Sequence, residues 1–546
     1  MYNTMRNNRL KISLVAVLAM AAACVNAQSS AVKKAADAVV SLTTFKADGS
    51  ILATGSGVFV ETNGTLMVPW APFAGADHAV VVDSKGARHD IDAIIGVNEI
   101  YNVAKVRIAG KSAASVAIPS APSTASTAWI VPNKKSNAPK KVTVKSRETF
   151  MDKYTYYVLD AEQSEMLNGL PVIDDSGKLL GLYNLSSTTC SATDPRLAQD
   201  FTINAFTQNS PAIRQCGIRV ALPTDKEQAR IALMLSGERG GKNYKSAVNE
   251  FISMFPTSQD GYYDKALLAV SEGNKAEAES VMQTALKQVA PKDAAHYDYA
   301  RILMAMEEYD KAQKEAQEAN KIAPQPLYEQ LLAQITYAKG NYQEAYDKFI
   351  ALTHSDIRNG ELFYQAMQAK AQLGGTNEEL LSLLDSAVAV CDTPYTVIAA
   401  PYFLARGQLL QGMKEYRKAA TDYYQYEVLM QGRLSAEFFY QREQCEVAGK
   451  IYQPALYDIA RAAALDPKNA LYWAEWASLS LRVNRLDEAI QAAEHCITLE
   501  PEASEPYLIL GIAQIESGKK QEGIANIQKA KALGNSQADS FLTKYK

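Results

Sequence analysis

The side chains best suited to metal binding or thiol chemistry are few and scattered along the chain. The sequence contains six cysteines, and five histidines at positions 78, 89, 296, 354 and 495. Zinc sites usually take such residues in close pairs of the C-x-x-C kind, and no such pair occurs here. His495 and Cys496 are adjacent, but they fall in a helical pattern in which their side chains diverge. A glycine-rich phosphate loop is also missing from the sequence, so we expect no metal and no cofactor.

The first 27 residues have the features of a secretory signal peptide. Basic residues precede an uncharged, mainly apolar run at 12–25, and small residues then suit cleavage after Ala27, leaving Gln28 first. One alternative is lipidation of Cys24, which would make an outer-membrane lipoprotein. The other is an uncleaved anchor, but about 14 helical residues span only ~21 Å of a ~30 Å bilayer core. No later segment is long and apolar enough to span a membrane.

Export would make disulfides possible. Cys190 and Cys216 both follow a predicted strand in the N-terminal half, and a bridge closing the loop between them would stabilise the fold by ~3 kcal/mol. The sequence is compatible with this bridge and with two free thiols. Cys391, Cys445 and Cys496 fall in helical patterns, where they would pack as small apolar residues.

Charge and length narrow the class of protein. The chain has 56 basic and 60 acidic side chains, a net charge of −4, and no long block of one sign. Nucleic acid is therefore not an expected partner. At 546 residues the chain exceeds one compact core, so two or more domains are expected.

Between residues 36 and 221, short apolar runs alternate with turn signals. Runs rich in Val, Ile, Leu and Tyr occur at 39–45, 57–61, 79–83, 102–108, 154–159 and 179–184. Turn-forming pairs such as Asn63-Gly64 separate them. Short strands without a long helix predict an all-β barrel or sandwich, which we place at residues 36–218.

From residue 224 to 546 the pattern is helical and repeats. A bulky residue followed three positions later by a small one opens the second helix of most copies, as in Tyr342-Gln343-Glu344-Ala345. The position of the small residue in each copy is 247, 278, 312, 345, 381, 419, 455, 489 and 523. The copies at 381 and 523 match the pattern more weakly. These nine copies, about 34 residues apart, resemble tetratricopeptide-repeat proteins. One helix pair cannot bury its own apolar face, so the copies are predicted to stack into an all-α superhelix.

The β region resembles the chymotrypsin-like serine proteases, in particular the HtrA type. Four passages follow the family's order along the chain. Residues 55–60 match its G-S-G strand, and residues 66–68 match the strand before the position of its histidine. Residues 103–108 match the strand after the position of its aspartate, and residues 168–173 and 177–182 match the region around its serine. The resemblance implies a trypsin-like double barrel. It also places the family's histidine at Pro72, its aspartate at Asn102 and its serine at Asn168.

The residues at these three positions cannot perform the family's chemistry. Acyl transfer needs a nucleophile, a base that takes its proton and a group that orients the base. Proline has no ring nitrogen that accepts a proton, and asparagine is neither a nucleophile nor a general base here. The resemblance therefore implies a pseudoprotease with no catalytic residues.

Five other residues are the available substitutes for the missing groups. Ser164 lies four residues before the required position, and His78 and His89 fall at or beyond the ends of predicted strands, where surface histidines are common. Asp160 or Glu162 could bind a basic group near the former substrate cleft, but solvated loop carboxylates are commoner.

The sequence as a whole predicts an exported scaffold or adaptor in the periplasm or cell envelope of a bacterium. Protein or peptide partners would bind in the groove of the repeats. One alternative is an active trypsin-like peptidase with an unrecognised nucleophile. The other is a cell-wall or glycan-binding protein with aromatic platforms, which only four tryptophans disfavour.

Overall fold

The structure is a computed structural model that describes residues 29–136, 138–238 and 240–545. The predicted signal segment 1–27, with Cys24 and its cleavage site, lies outside the described residues. The chain divides into two compact units, one up to Ala290 and one from Pro291 onward. The boundary between units falls within the helical repeats, and the proposed domain limits 36–218 and 224–546 stay predictions.

The first unit begins with a short helix, α1 (Ser30–Ala35), and a closed six-stranded barrel. Its strands are β1 (Val39–Phe45), β2 (Ile51–Phe59), β3 (Thr65–Val68), β4 (His78–Val82), β5 (Arg88–Asn98) and β6 (Val103–Ile108). They close in the order β1-β2-β3-β6-β5-β4, with every neighbouring pair antiparallel. Closure leaves this sheet without an unpaired edge strand.

A second closed barrel follows in the same unit. Its strands are β7 (Thr127–Ile130), β8 (Lys140–Phe150), β9 (Tyr154–Asp160), β10 (Pro171–Ile173), β11 (Leu179–Ser186) and β12 (Thr189–Thr193). They close in the order β10-β11-β12-β9-β8-β7, which is the strand order of the first barrel. The predicted double barrel is confirmed. Two short helices, α2 (Arg196–Gln199) and α3 (Pro211–Arg214), come after it.

The segment after α3 returns to the first barrel before the long helices start. The Gly217 amide donates to the Ala76 carbonyl at 2.7 Å, and the Ile94 amide on β5 donates to the Arg219 carbonyl at 2.9 Å. The Ala221 amide donates to the Ile94 carbonyl at 2.9 Å. Residues 217–221 therefore lie beside β5 and lead the chain from the barrel into the first helix pair.

Helices make up the rest of the described chain. The first unit contains α4 (Lys226–Gly237), α5 (Gly241–Met254), α6 (Gln259–Ser271) and α7 (Lys275–Gln288). The second contains α8 (Lys292–Ala305), α9 (Tyr309–Ile322), α10 (Pro326–Ala338), α11 (Tyr342–Leu352), α12 (Gly360–Gln372), α13 (Asn377–Ala389), α14 (Ala400–Gly412), α15 (Tyr416–Leu429), α16 (Ala436–Ala448), α17 (Tyr452–Leu465), α18 (Ala470–Arg482), α19 (Leu486–Leu499), α20 (Ser504–Glu516), α21 (Lys520–Ala532) and α22 (Ala538–Lys544). Within the described residues this gives nine pairs and a final helix, as the nine sequence copies predict.

The small residues that mark the repeats lie where the two helices of a pair meet. Their side chains are buried at Ala312, Ala345, Ala419, Ala455 and Ala489. In the last pair a side chain on Gly523 would come within 2.4 Å of the Gly511 carbonyl oxygen, so only glycine permits this approach. The fifth copy departs from the pattern, because Leu381 is half-buried and Leu384 is the buried residue.

In the described ranges between residues 29 and 545, no helix combines the length and the apolar character needed to cross a bilayer.

Candidate functional site

The three positions of the implied triad come together between the two barrels. Pro72 lies in a single 3-10 turn after β3, held by the buried rings of Trp70 and Phe73, whose centroids are 5.8 Å apart. Asn102 occupies the turn between β5 and β6 with φ at +51°, a left-handed conformation that asparagine tolerates better than most residues. Asn168 ends a short 3-10 turn before β10.

Side-chain amides join these positions into one hydrogen-bonded cluster. The Asn102 Oδ1 accepts from the Ala71 amide at 2.8 Å, beside Pro72. Its Nδ2 donates to Asn184 Oδ1 on β11 at 2.9 Å. The Asn168 Oδ1 accepts from the amide of Leu185, the next residue, at 2.8 Å. We call Asn102, Asn168 and Asn184 the asparagine cluster.

Gly169 brings the loop that carries Asn168 against the first barrel. Its φ is +85°, and a side chain there would come within 2.1 Å of the Ser56 carbonyl oxygen on β2. Its amide donates to the Tyr183 carbonyl at 2.9 Å. The strand that carries Ser56 and the loop that carries Asn168 therefore lie in direct contact.

The cluster offers hydrogen bonds but no titrating group. Amide side chains donate and accept without ionising, and proline has no side-chain polar atom. The nearby Tyr183 donates from Oη to the Glu162 carbonyl at 2.6 Å. Burial, with the hydrogen bond to Cys190, raises the pKa of Tyr183 to about 12, so this phenol stays protonated near neutral pH.

Four of the five substitutes considered from the sequence are paired with other charged side chains. The Nδ1 atom of His78 lies 3.1 Å from Asp77 Oδ2, and its ring stacks on Phe45. The Nε2 atom of His89 lies 3.2 Å from Asp83 Oδ2. Ser164 precedes the 3-10 turn that leads to Asn168. Two surface ion pairs hold the carboxylates, Asp160 with Lys145 at 3.0 Å and Glu162 with Lys140 at 2.5 Å.

The disulfide considered from the sequence is not formed. Cys190 and Cys216 are both free thiols. Cys190 is buried in the second barrel, where the Tyr183 hydroxyl lies 3.1 Å from its sulfur. Cys216 precedes Gly217, whose amide bonds to Ala76 of the first barrel. The two thiols follow one strand in sequence, but the chain carries them to different barrels.

An ion-pair network that the sequence did not predict joins the first helix pair to the first barrel. Arg219 binds Asp92 of β5 at 2.6 Å and also pairs with Glu250 of α5. Arg107 of β6 binds the same Glu250 at 2.6 Å and Asp92 at 3.2 Å. The side chains of Arg219 and Glu250 are only 6% and 10% exposed. We call these four residues the barrel–helix network.

A second feature missed in the sequence is a buried Arg–Asp pair that recurs in the sixth and seventh pairs. Arg406 binds both oxygens of Asp422, at 2.7 and 2.8 Å. Arg442 binds both oxygens of Asp458 in the same way, at 2.5 and 2.7 Å. The arginine and the aspartate of the pair both recur after 36 residues. An Arg and an Asp repeated at the spacing of the helix pairs is therefore the sequence pattern that could have predicted this ion pair.

Comparison with known proteins identifies the repeats. Residues 244–335 match the family model described as Tetratricopeptide repeat. Small glutamine-rich tetratricopeptide repeat-containing protein 2 of Saccharomyces cerevisiae is 30% identical over 83 residues, which are 15% of this chain and 24% of that protein. The chain thus spans about a quarter of the length of this curated relative.

Among solved structures, a chain titled "HtrA-type protease AlgW with tripeptide" aligns at a TM-score of 0.27 and 20% identity. The alignment covers 31% of this chain and 60% of that one. The description of this region as two closed six-stranded barrels rests on the strand pairing of the chain itself and not on this alignment. The chain therefore combines two closed six-stranded barrels with helical repeats, of which residues 244–335 match the tetratricopeptide family model.

Proposed function

We propose that this chain is an exported protein-binding scaffold of the cell envelope, in which tetratricopeptide repeats bind a protein or peptide partner. The observation that carries the proposal is the family match at residues 244–335, within nine successive helix pairs of the described chain. Stacked helix pairs expose side chains from several repeats to one extended ligand. The mature protein would begin at Gln28, which mass spectrometry of the purified chain can check.

The proposal includes a catalytically silent protease-like domain. Three features support it: two closed barrels share one strand order, the implied triad positions converge, and they hold two amides and a proline. A serine-protease mechanism requires that a base take the proton of the nucleophile. The asparagine cluster instead uses its side chains to bind backbone amides and one another.

Purified protein is expected to hydrolyse casein no faster than the buffer background and to form no adduct with a fluorophosphonate probe. Such a probe reacts covalently with activated serines, and Ser164 is the serine nearest the former nucleophile position in the sequence. Restoring serine at Asn168 alone should not produce activity, because triad members act as a unit. Labelling that disappears in Ser164→Ala but persists in a control, Ser176→Ala, would establish an active peptidase instead.

A further inference from the structure

Helix α16 carries three charged side chains into the interior of the seventh helix pair. Arg442, Glu443 and Glu446 are 4%, 1% and 5% exposed. Charged residues are almost never buried to this degree without partners. The equivalent residues one repeat earlier, at a spacing of 36, are Arg406, Gly407 and Leu410. The arginine therefore recurs, whereas the two buried carboxyl groups belong to the seventh pair.

Arg442 and Arg461 bind two of the carboxylates in this interior, those of Asp458 and Glu427. Arg442 binds Asp458 of α17 through Nε and Nη2, and Nη2 also lies 2.7 Å from Glu427 of α15. Arg461 of α17 pairs with Glu427 as well. Within the described residues, Glu446 Oε2 is buried and receives no hydrogen bond from the protein.

Carboxyl groups outnumber guanidinium groups in this interior, so some of the carboxyl groups are expected to be protonated. Four carboxyl groups lie in the cluster, those of Glu427, Glu443, Glu446 and Asp458, against the guanidinium groups of Arg442 and Arg461. A buried carboxylate without a partner is strongly disfavoured and takes up a proton instead. Glu446 lies one helical turn after Arg442 on α16, so it faces the same neighbour, Asp458 of α17, whose charge adds to the cost of ionising Glu446.

We propose that the seventh helix pair is a pH-sensitive joint of the repeat array, closed while the buried Glu446 carboxyl holds a proton and loosened when that proton is lost. The inference goes beyond the proposed scaffold function and does not depend on it. Once the proton leaves, two negative charges face each other between α16 and α17. The Nε and Nη2 atoms of Arg442 are already bound to Asp458 and Glu427, and its Nη1 is buried without a hydrogen bond.

The groups that face the pair set the direction of the pH response. They are Glu427 of α15, Arg442, Glu443 and Cys445 of α16, Asp458 and Arg461 of α17, and Glu475 and Arg482 of α18. Burial, reinforced by the charge of Asp458, raises the pKa of Glu446 to about 8, and burial raises the pKa of Glu443 to about 7.

Both values lie above the ordinary glutamate pKa of 4.5, so the folded state binds these protons more tightly than the unfolded chain. Their contribution to stability is complete below that ordinary pKa. It decreases as the pH rises and is lost once the pH passes about 8.

Two buried thiols of the chain provide the test. Cys445 on α16 and Cys496 on α19 are both essentially unexposed, so each reacts with N-ethylmaleimide only when its helix opens. The pH dependence of the thiol reaction itself is common to both and cancels in the ratio of their labelling rates. On the full chain, followed by peptide mass spectrometry, the Cys445/Cys496 ratio should rise about tenfold between pH 7 and 8.

Glu446→Gln supplies the matched variant, because the glutamine amide keeps the shape of the protonated glutamate and does not ionise. Its Cys445/Cys496 ratio should rise no more than about twofold between pH 7 and 8, because Glu443, with a pKa of about 7, is then already losing its proton in the folded state. If this variant did not fold, Glu446→Leu, which installs the residue of the sixth repeat, would replace it. A constant ratio in the unmodified chain would overturn the proposal, as would a rise that persists in Glu443→Gln/Glu446→Gln.

Discussion

Replacing Glu250 by alanine is expected to lower the free energy of unfolding of the first unit by about 3–5 kcal/mol. Glu250 is the acceptor that Arg107 and Arg219 share, and it also accepts from the Leu222 amide at 3.3 Å. Removing its carboxylate leaves the buried Arg219 with Asp92 as its remaining acidic partner. The cost arises mainly from this incompletely neutralised charge, not from the lost attraction itself.

Hydrogen exchange measured by mass spectrometry should show where the effect of Glu250→Ala falls. Since the network contacts β5, β6 and α5, peptides of the first barrel and of the first helix pair should lose protection together. Glu227→Ala is the matched control, because Glu227 pairs with Arg230 on the exposed surface of α4 and its loss should change little. Loss of protection in α5 with an unchanged barrel would contradict a joint folding unit.

Replacing Asp458 by alanine should lower the free energy of unfolding of the second unit by a similar amount, about 3–5 kcal/mol. Asp458 receives both hydrogen bonds of the Arg442 fork, and both side chains are nearly inaccessible to solvent. Without Asp458, Arg442 keeps one acidic partner, Glu427. Denaturation by urea, followed by the fluorescence of Trp473 and Trp476 in α18, measures the change in the adjoining pair.

Asp385→Ala is the control for Asp458→Ala. Asp385 binds the recurring Arg406 at 2.8 Å, but its side chain is 58% exposed, and Arg406 keeps both bonds to Asp422. The expected loss is therefore below about 1 kcal/mol. Equal losses in the two variants would show that burial does not determine the strength of these pairs.

The sequence predicted the repeats well because each copy carries its own evidence. A small residue such as Ala345 or Ala455 recurs at a nearly fixed spacing and is buried. Strands are harder to predict when one face is polar. β5 and β8, the longest strands described, were missed because exposed charged residues interrupt their apolar alternation.

Motif order in the sequence singles out Pro72, Asn102 and Asn168, but their hydrogen bonds could not be predicted from it. Asn184, which completes the asparagine cluster, lies 82 residues from Asn102 and belongs to no motif. The barrel–helix network is equally hidden, since Asp92 and Arg219 are 127 residues apart. Such contacts depend on how the barrels close, which local patterns do not specify.

Site-specific photocrosslinking in the native envelope tests the central claim, that binding resides in the repeats and not in the protease-like domain. In the repeats, the photoreactive residue replaces Gln408 of α14 or Gln444 of α16, which are exposed and occupy equivalent positions. In the protease-like domain, it replaces Ile100 or Met166, which lie close in sequence to Asn102 and Asn168 and are 88% and 90% exposed. We predict protein adducts at Gln408 and Gln444 and none at Ile100 and Met166. Adducts confined to Ile100 and Met166, or none at the repeats, would contradict the scaffold function.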